Sequence, residues 1–152
     1  MTAIATPSTT ATSTPVATPI TSGAVRGTPR RWLQLEGLAM FVAGALVFVV
    51  NGGPVLLLLP LLLAPDLSAI GYLAGPKVGA MAYNLAHTWA PGVAVLGIGL
   101  ALGVPAIVLA GAVLVAHTGM DRAAGYGLKY ATAFGDTHMG WIGRRPSPAP
   151  AA

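Results

Sequence analysis

Apolar residues gather in four long runs separated by short turns. The first extends from about Leu33 to Val50, the second from about Pro54 to Leu73, the third from about Val78 to Leu102 and the fourth from about Pro105 to Asp121. Asn51-Gly52-Gly53-Pro54, Gly75-Pro76-Lys77 and Gly103-Val104-Pro105 punctuate them with turn formers. Each run is close to the ~20 residues an α-helix needs to cross ~30 Å of hydrocarbon. Short turns make consecutive helices antiparallel neighbours. The pattern predicts an all-α, polytopic membrane protein: a four-transmembrane-helix bundle within a membrane domain over 30–143. Pro60, Pro65 and Pro91 fall inside runs and predict kinks rather than breaks in the spans. The Leu56–Leu59 and Leu61–Leu63 runs, with Gly97, Gly99 and Gly103, read as packing positions.

The flanks differ. Residues 1–29 are nearly all Thr, Ala, Pro, Ser, Gly and Val, with Arg26 as the one charge. Such a segment buries too little apolar surface to offset its ordering entropy, so it is expected to be disordered, as is 144–152. It lacks the basic start and early apolar core of a signal peptide. Arg30-Arg31-Trp32-Leu33 faintly echoes a twin-arginine export signal, but no small-residue cleavage site follows. Over 122–143, Gly125, Gly127, Gly135 and Gly140 argue against a continued helix. Tyr126, Tyr130, Phe134 and Trp141 there suit a segment lying at the membrane interface. Pro54 and Pro105 each open a run, and Asp66 and Asp121 each precede a Gly-Tyr pair, which suggests two hairpins in parallel orientation.

Composition agrees with the membrane assignment. The 152 residues form one domain at most, 55% are hydrophobic and only 8% are charged, against about a quarter charged in soluble domains. Mean hydropathy is +0.73. The net charge of +4 does not point to nucleic acid, because no basic patch is interleaved with aromatics. Instead every Lys and Arg (residues 26, 30, 31, 77, 122, 129, 144 and 145) falls on one side of a four-span topology, and the two opposite turns carry no charge. Positive residues stay inside, so both termini are expected to be cytoplasmic in a multi-pass protein of the cell inner (cytoplasmic) membrane. The absence of cysteine removes disulfides, thiolate ligands and cysteine nucleophiles.

Few ionisable residues interrupt the spans, and counting along each helix from its uncharged turn groups them. Asp66 and His117 share one layer; His87, Asp121 and Glu36 share a second, roughly 6 Å nearer the cytoplasm at about 1.5 Å per residue. His117 and Asp121 are i, i+4 on one face, as are Tyr83 and His87; Asn84 and His87 are i, i+3. A carboxylate near the middle of a span costs about 2.5–3.5 kcal/mol to insert, so these groups are expected to face a shared interior. The stretch from Ala116 to His138 adds Arg122, Lys129, Asp136 and His138.

Several motifs resemble a family of small bacterial membrane proteins, domain of unknown function 4260. They are Pro65-Asp66-Leu67-Ser68, Gly71-Tyr72-Leu73-Ala74-Gly75-Pro76, Tyr83-Asn84-Leu85-Ala86-His87-Thr88, His117-x-Gly119-x-Asp121-Arg122, Gly125-Tyr126-Gly127-Leu128-Lys129-Tyr130 and Phe134-x-Asp136-Thr137-His138. The resemblance covers roughly Glu36 to Gly143 and implies a multi-pass bacterial membrane protein without naming an activity. The chain is more loosely similar to inner-membrane proteins described as metal-dependent hydrolases, which also place a Pro-Asp and a His…Asp pair near helix ends. It departs from them at Ser68, where they carry a second Asp, and it lacks their His-Arg-Gly-x-Thr-His stretch.

Three readings of function follow. In the first, the protein is a metal-dependent hydrolase acting on a lipid-like or anionic amphiphilic substrate at the cytoplasmic face. His87, His117 and Asp121 then hold a divalent metal, with Asp66 as fourth ligand or general base and Arg122 and Lys129 stabilising developing charge. Imidazole and carboxylate donors favour zinc over magnesium. In the second, a non-catalytic network of these residues with Glu36, Tyr83, Asn84, Asp136 and His138 serves packing or partner binding. In the third, the protein is a proton- or ion-coupled carrier, which four helices with all polar groups in one leaflet fit poorly unless a homo-oligomer forms.

Overall fold

The computed structural model describes residues 23–144, so the expectations for 1–22 and 145–152 lie outside the described residues. Its elements are α1 (Gly27–Val50), α2 (Val55–Leu61), a 3-10 helix (Pro65–Ala74), α3 (Pro76–His87), α4 (Trp89–Leu102), α5 (Pro105–Ala124), β1 (Asp136–Thr137) and β2 (Gly140–Trp141). Three stretches are long and apolar enough to cross a membrane, namely α1, Val55–Ala74 and α5; α3 and α4 together make a fourth, bent by 44°. The protein is therefore a helical membrane protein with up to four spans. The β-strands are a two-residue antiparallel pair in the C-terminal segment. Large side chains stand outward: Leu56 is 86% exposed and Leu73 87%. In water such a surface would aggregate, whereas in hydrocarbon it is solvated.

Backbone contacts at glycine hold the bundle together. α1 and α5 run antiparallel: a Cβ built on Gly44 would lie 2.6 Å from Ala116 N, and one on Gly119 2.3 Å from Phe41 N. α4 packs on the other side of α5, where a Cβ on Gly111 would lie 2.3 Å from Leu96 N. Lipid-facing helices gain no hydrophobic free energy by associating, so close backbone approach supplies the attraction. Gly119→Leu is expected to force α1 off α5 and destabilise the protein by at least about 1–3 kcal/mol, the cost of overpacking; thermal unfolding in detergent checks this. Of the three glycines read as packing positions only Gly99 packs, against α5, while Gly97 meets open space and Gly103 ends α4 at φ +64. The leucine runs also face outward for the most part, with only Leu58 and Leu62 buried.

The structure corrects four boundaries. α1 begins at Gly27, so the last residues of the segment expected to be disordered are helical; Pro29 sits in the first turn, where a missing N–H costs little. The second span is not one α-helix. After α2 the chain tightens through i→i+3 bonds (Leu63 N to Pro60 O, Ala64 N to Leu61 O) into the 3-10 helix. The third span breaks at Thr88, which is extended at φ −89, ψ 148. Pro91 is the cause: it has no N–H for the carbonyl of His87, and its ring crowds that carbonyl. α5 continues past Asp121 to Ala124, and Gly125 ends it at φ +90. Within each expected hairpin one span is a continuous helix, α1 or α5, and the other is broken, though the break falls in the second span of one and the first span of the other.

The segment after α5 folds back over the helix ends. Asn84 clips it in place: its Nδ2 donates to Lys129 O at 2.9 Å and its Oδ1 accepts from Lys129 N at 2.7 Å. Val25 N donates to His138 O at 2.8 Å, tying the segment to the start of α1.

Candidate metal centre

Four ligand atoms, one each from Asp66, His87, His117 and Asp121, lie within 4.8 Å of one another. Each is placed by a local feature. Asp66 is the second residue of the 3-10 helix, after Pro65. His87 is the last residue of α3, where Pro91 terminates it. His117 and Asp121 sit one turn apart on the inward face of α5.

The sequence reading set these residues in two layers about 6 Å apart. The structure merges them, because 3-10 geometry rises about 2.0 Å per residue rather than about 1.5 Å and the bend at Thr88 tilts α3. Separations are 3.3 Å for His87 Nε2 to Asp66 Oδ1 and 3.7 Å for His87 Nε2 to Asp121 Oδ2. From His117 Nε2 they are 3.9 Å to Asp66 Oδ1 and 3.8 Å to Asp121 Oδ2. Bonds of about 2.0–2.2 Å to the corners of a tetrahedron set those corners roughly 3.3–3.6 Å apart. The four His–Asp separations are close to that edge length, and with every pair of the four atoms within 4.8 Å a transition-metal ion would draw the set together.

Backbone carbonyls fix both imidazoles. His87 Nδ1 donates to Tyr83 O at 2.8 Å, and His117 Nδ1 donates to Leu62 O. A carbonyl only accepts, so each ring carries a proton on Nδ1 and turns its Nε2 toward the carboxylates. Leu62 O is available because Pro65 lacks the N–H that would serve it as an i+3 donor. His117 is fully buried, and its Nε2 has no hydrogen-bond partner. Two imidazole nitrogens and two carboxylate oxygens thus converge, a donor set that a cation satisfies when neither ring carries a second proton. Holding the second imidazole nitrogen on a carbonyl is also how metal-bound histidines are oriented. The group can therefore bind a metal.

Tyr83 and Lys129 stand beside the group. Tyr83 stacks on His87 at 3.5 Å between ring centroids, and its hydroxyl donates to Asp121 Oδ2 at 3.1 Å. A pocket of about 490 Å³ opens beside the group, lined by Asp66, Tyr83, Asp121, Lys129 and Phe134 among others. Neither imidazole lines it; both are buried, while Asp66 is 48% exposed. Lys129 is buried: its Nζ donates to Phe134 O at 2.9 Å and lies 3.7 Å from the Phe134 ring centroid and 4.7 Å from that of Tyr83. Burial lowers its pKa, and Asp121 and Asp66 partly restore it.

The remaining residues singled out in the sequence lie elsewhere. Glu36 is exposed on α1 and outside the group. Arg122 turns away from the ligand atoms, with its Nη1 3.4 Å from Tyr126 O and 3.2 Å from His138 Nε2. Asp136, in β1, accepts from Thr132 Oγ1 at 2.7 Å. Asn84 holds the Lys129 backbone. Pro65 and the carbonyls of Leu62 and Tyr83 were not singled out in the sequence as parts of the site; the proline preceding Asp66 was the available signal.

His138 accepts from Leu128 N–H at 2.8 Å through Nδ1. Burial, then Arg122, lowers its pKa below the ordinary 6.5. It stays neutral in the fold at a pH where the unfolded chain takes up a proton. Stability is therefore expected to fall as pH drops below 6.5, by at most about 1.4 kcal/mol per unit. His138→Gln should flatten that slope; denaturation of chelator-treated protein between pH 7 and 5 measures it.

Fold and site together define a multi-pass helical membrane protein with a His–Asp group able to bind a metal beside a pocket lined by Asp66, Asp121 and Lys129. The chain belongs to the family described as Domain of unknown function (DUF4260), whose model matches residues 30–142. No curated protein and no solved structure matches the chain.

Proposed function

We propose that the protein is a metal-dependent hydrolase that acts on an anionic amphiphile at the cytoplasmic face of the inner membrane. One observation carries the reading: two histidines held through Nδ1 on backbone carbonyls turn Nε2 toward two carboxylates beside an open pocket. Zinc is the ion that the mixed imidazole and carboxylate donors suit best, since magnesium prefers oxygen alone. Bound among the four residues, it would supply Lewis acidity toward a phosphoryl or acyl oxygen. Asp66 is the most exposed of the four and lines the pocket, so it is placed to take up a proton from a reacting water. Lys129, which also lines the pocket, offers positive charge to an anionic headgroup. Arg122 is engaged with the His138 segment and takes a positioning part. The one-sidedness of Lys and Arg supports a cytoplasmic location for this end of the bundle.

A second reading has its own support. If both imidazoles carried a second proton, the same four contacts would be ion pairs that lock α3, α5 and the 3-10 helix together. Metal analysis of protein purified without chelator separates the two. Zinc-dependent cleavage of phosphoester or carboxylic ester amphiphiles, lost in Asp66→Asn and Asp121→Asn, tests the hydrolase. A protein that takes up zinc but cleaves none of these compounds would sink the catalytic half of the proposal.

A further inference from the structure

A second cavity, of about 570 Å³, lies between α2 and the first half of α5. Leu57 and Leu61 form one wall, Leu109 and Val113 the other, Phe48 of α1 closes the floor, and Pro65 stands at one end. The groove exists because α2 is only seven residues long and turns into the 3-10 helix instead of packing down α5.

Two features say what occupies it. First, the groove is apolar and lies within the spans, while its Pro65 end adjoins Asp66, which with Asp121 and Lys129 lines the second pocket. Cavity, metal group and pocket thus follow one another along α5, from Ala106 through His117 to Asp121. Second, this order runs apolar to anionic-headgroup chemistry toward the end of the bundle that carries the Lys and Arg residues. That is the order of tail and headgroup in a lipid whose headgroup lies at that face. We infer that the groove binds one acyl chain of the amphiphile whose headgroup lies beside Lys129. The tail site stands on the groove alone; the headgroup assignment rests on the metal-site reading.

The groove also sets a length. From Ala106 to Leu114, eight residues at about 1.5 Å each, it extends about 12 Å. With carbon–carbon bonds of about 1.5 Å, an extended chain advances about 1.25 Å per carbon, so about ten carbons fit. Ala110 lies on the exposed side of α5 along the groove, and a larger residue there fills the space without entering the α1–α5 seam.

The test is photo-crosslinking of the full chain in phosphatidylcholine nanodiscs. The probe is phosphatidic acid, present in trace, with a diazirine near carbon ten of one acyl chain. Crosslinks are expected to concentrate on Leu57, Ala106 and Leu109 and to be competed by unlabelled phosphatidic acid. Ala110→Phe should lower them at least about tenfold, the factor that about 1.4 kcal/mol of lost fit produces, with metal content and helicity unchanged. Ala106→Phe gives the same reading from the far end of the groove. Crosslinks spread evenly over the outward faces of α1 and α4, or indifferent to both substitutions, would make the groove ordinary lipid-facing surface and overturn the inference. Groove crosslinks in a protein that takes up no metal would uphold the tail site and overturn the metal reading.

Discussion

His117→Ala is expected to strip the protein of its metal. Native protein purified without chelator should carry about one divalent ion per chain, and the variant less than about a tenth of that, because one of at most four protein ligands is gone. Linkage makes the same point a second way. An ion that binds only the folded chain stabilises it by RT ln(1 + [L]/Kd), about 4 kcal/mol at a thousandfold excess over Kd. Zinc should therefore raise the unfolding temperature of native protein and leave that of the variant unmoved. The variant also vacates a fully buried position and frees Leu62 O from its donor, a loss of about 1–3 kcal/mol. His117→Gln, which keeps most of the volume, separates that packing loss from loss of the ligand. Native protein that stays metal-free after zinc titration, with an unchanged unfolding temperature, would refute the site.

Tyr83→Phe is expected to weaken metal binding about 10–100-fold without unfolding the protein. The substitution deletes one atom, the hydroxyl that donates to Asp121 Oδ2 at 3.1 Å. The ring stacked on His87 and facing Lys129 is retained. Asp121 keeps its place on α5 but loses the bond that fixes its carboxylate, so the ion meets a ligand that must be ordered on binding. Competition titration against a chromophoric zinc chelator reads the affinity. Equal affinities in native protein and variant would mean that α5 alone orients Asp121. Lys129→Met is the matched control: it removes the pocket's cation and should leave zinc affinity much less affected.

The sequence by itself determined the helical membrane character, and it singled out Asp66, His87, His117 and Asp121, though with Glu36, which the structure leaves outside the group. These follow from composition and period: apolar runs near twenty residues long, turns without charge on one side, and ionisable residues too costly to leave in hydrocarbon. It also marked Tyr83, Asn84 and Lys129 as neighbours of that group. Tertiary structure decided how the group closes. Counting at helical rise placed Asp66 and His87 in different layers, because nothing local announces that a run such as Pro54–Leu73 will switch to 3-10 geometry after Leu61. Likewise Pro91 predicted a kink, but that the break would fall at Thr88 and swing His87 against Asp66 depended on how α3 packs on the 3-10 helix. Glu36 shares the expected depth yet faces outward, because depth fixes a level along the axis and only packing fixes the angle around it. Most decisive is Leu62. Its carbonyl is freed by a proline three residues away and taken by a histidine 55 residues on, a pairing that no local pattern encodes because it exists only once α5 lies against the broken second span.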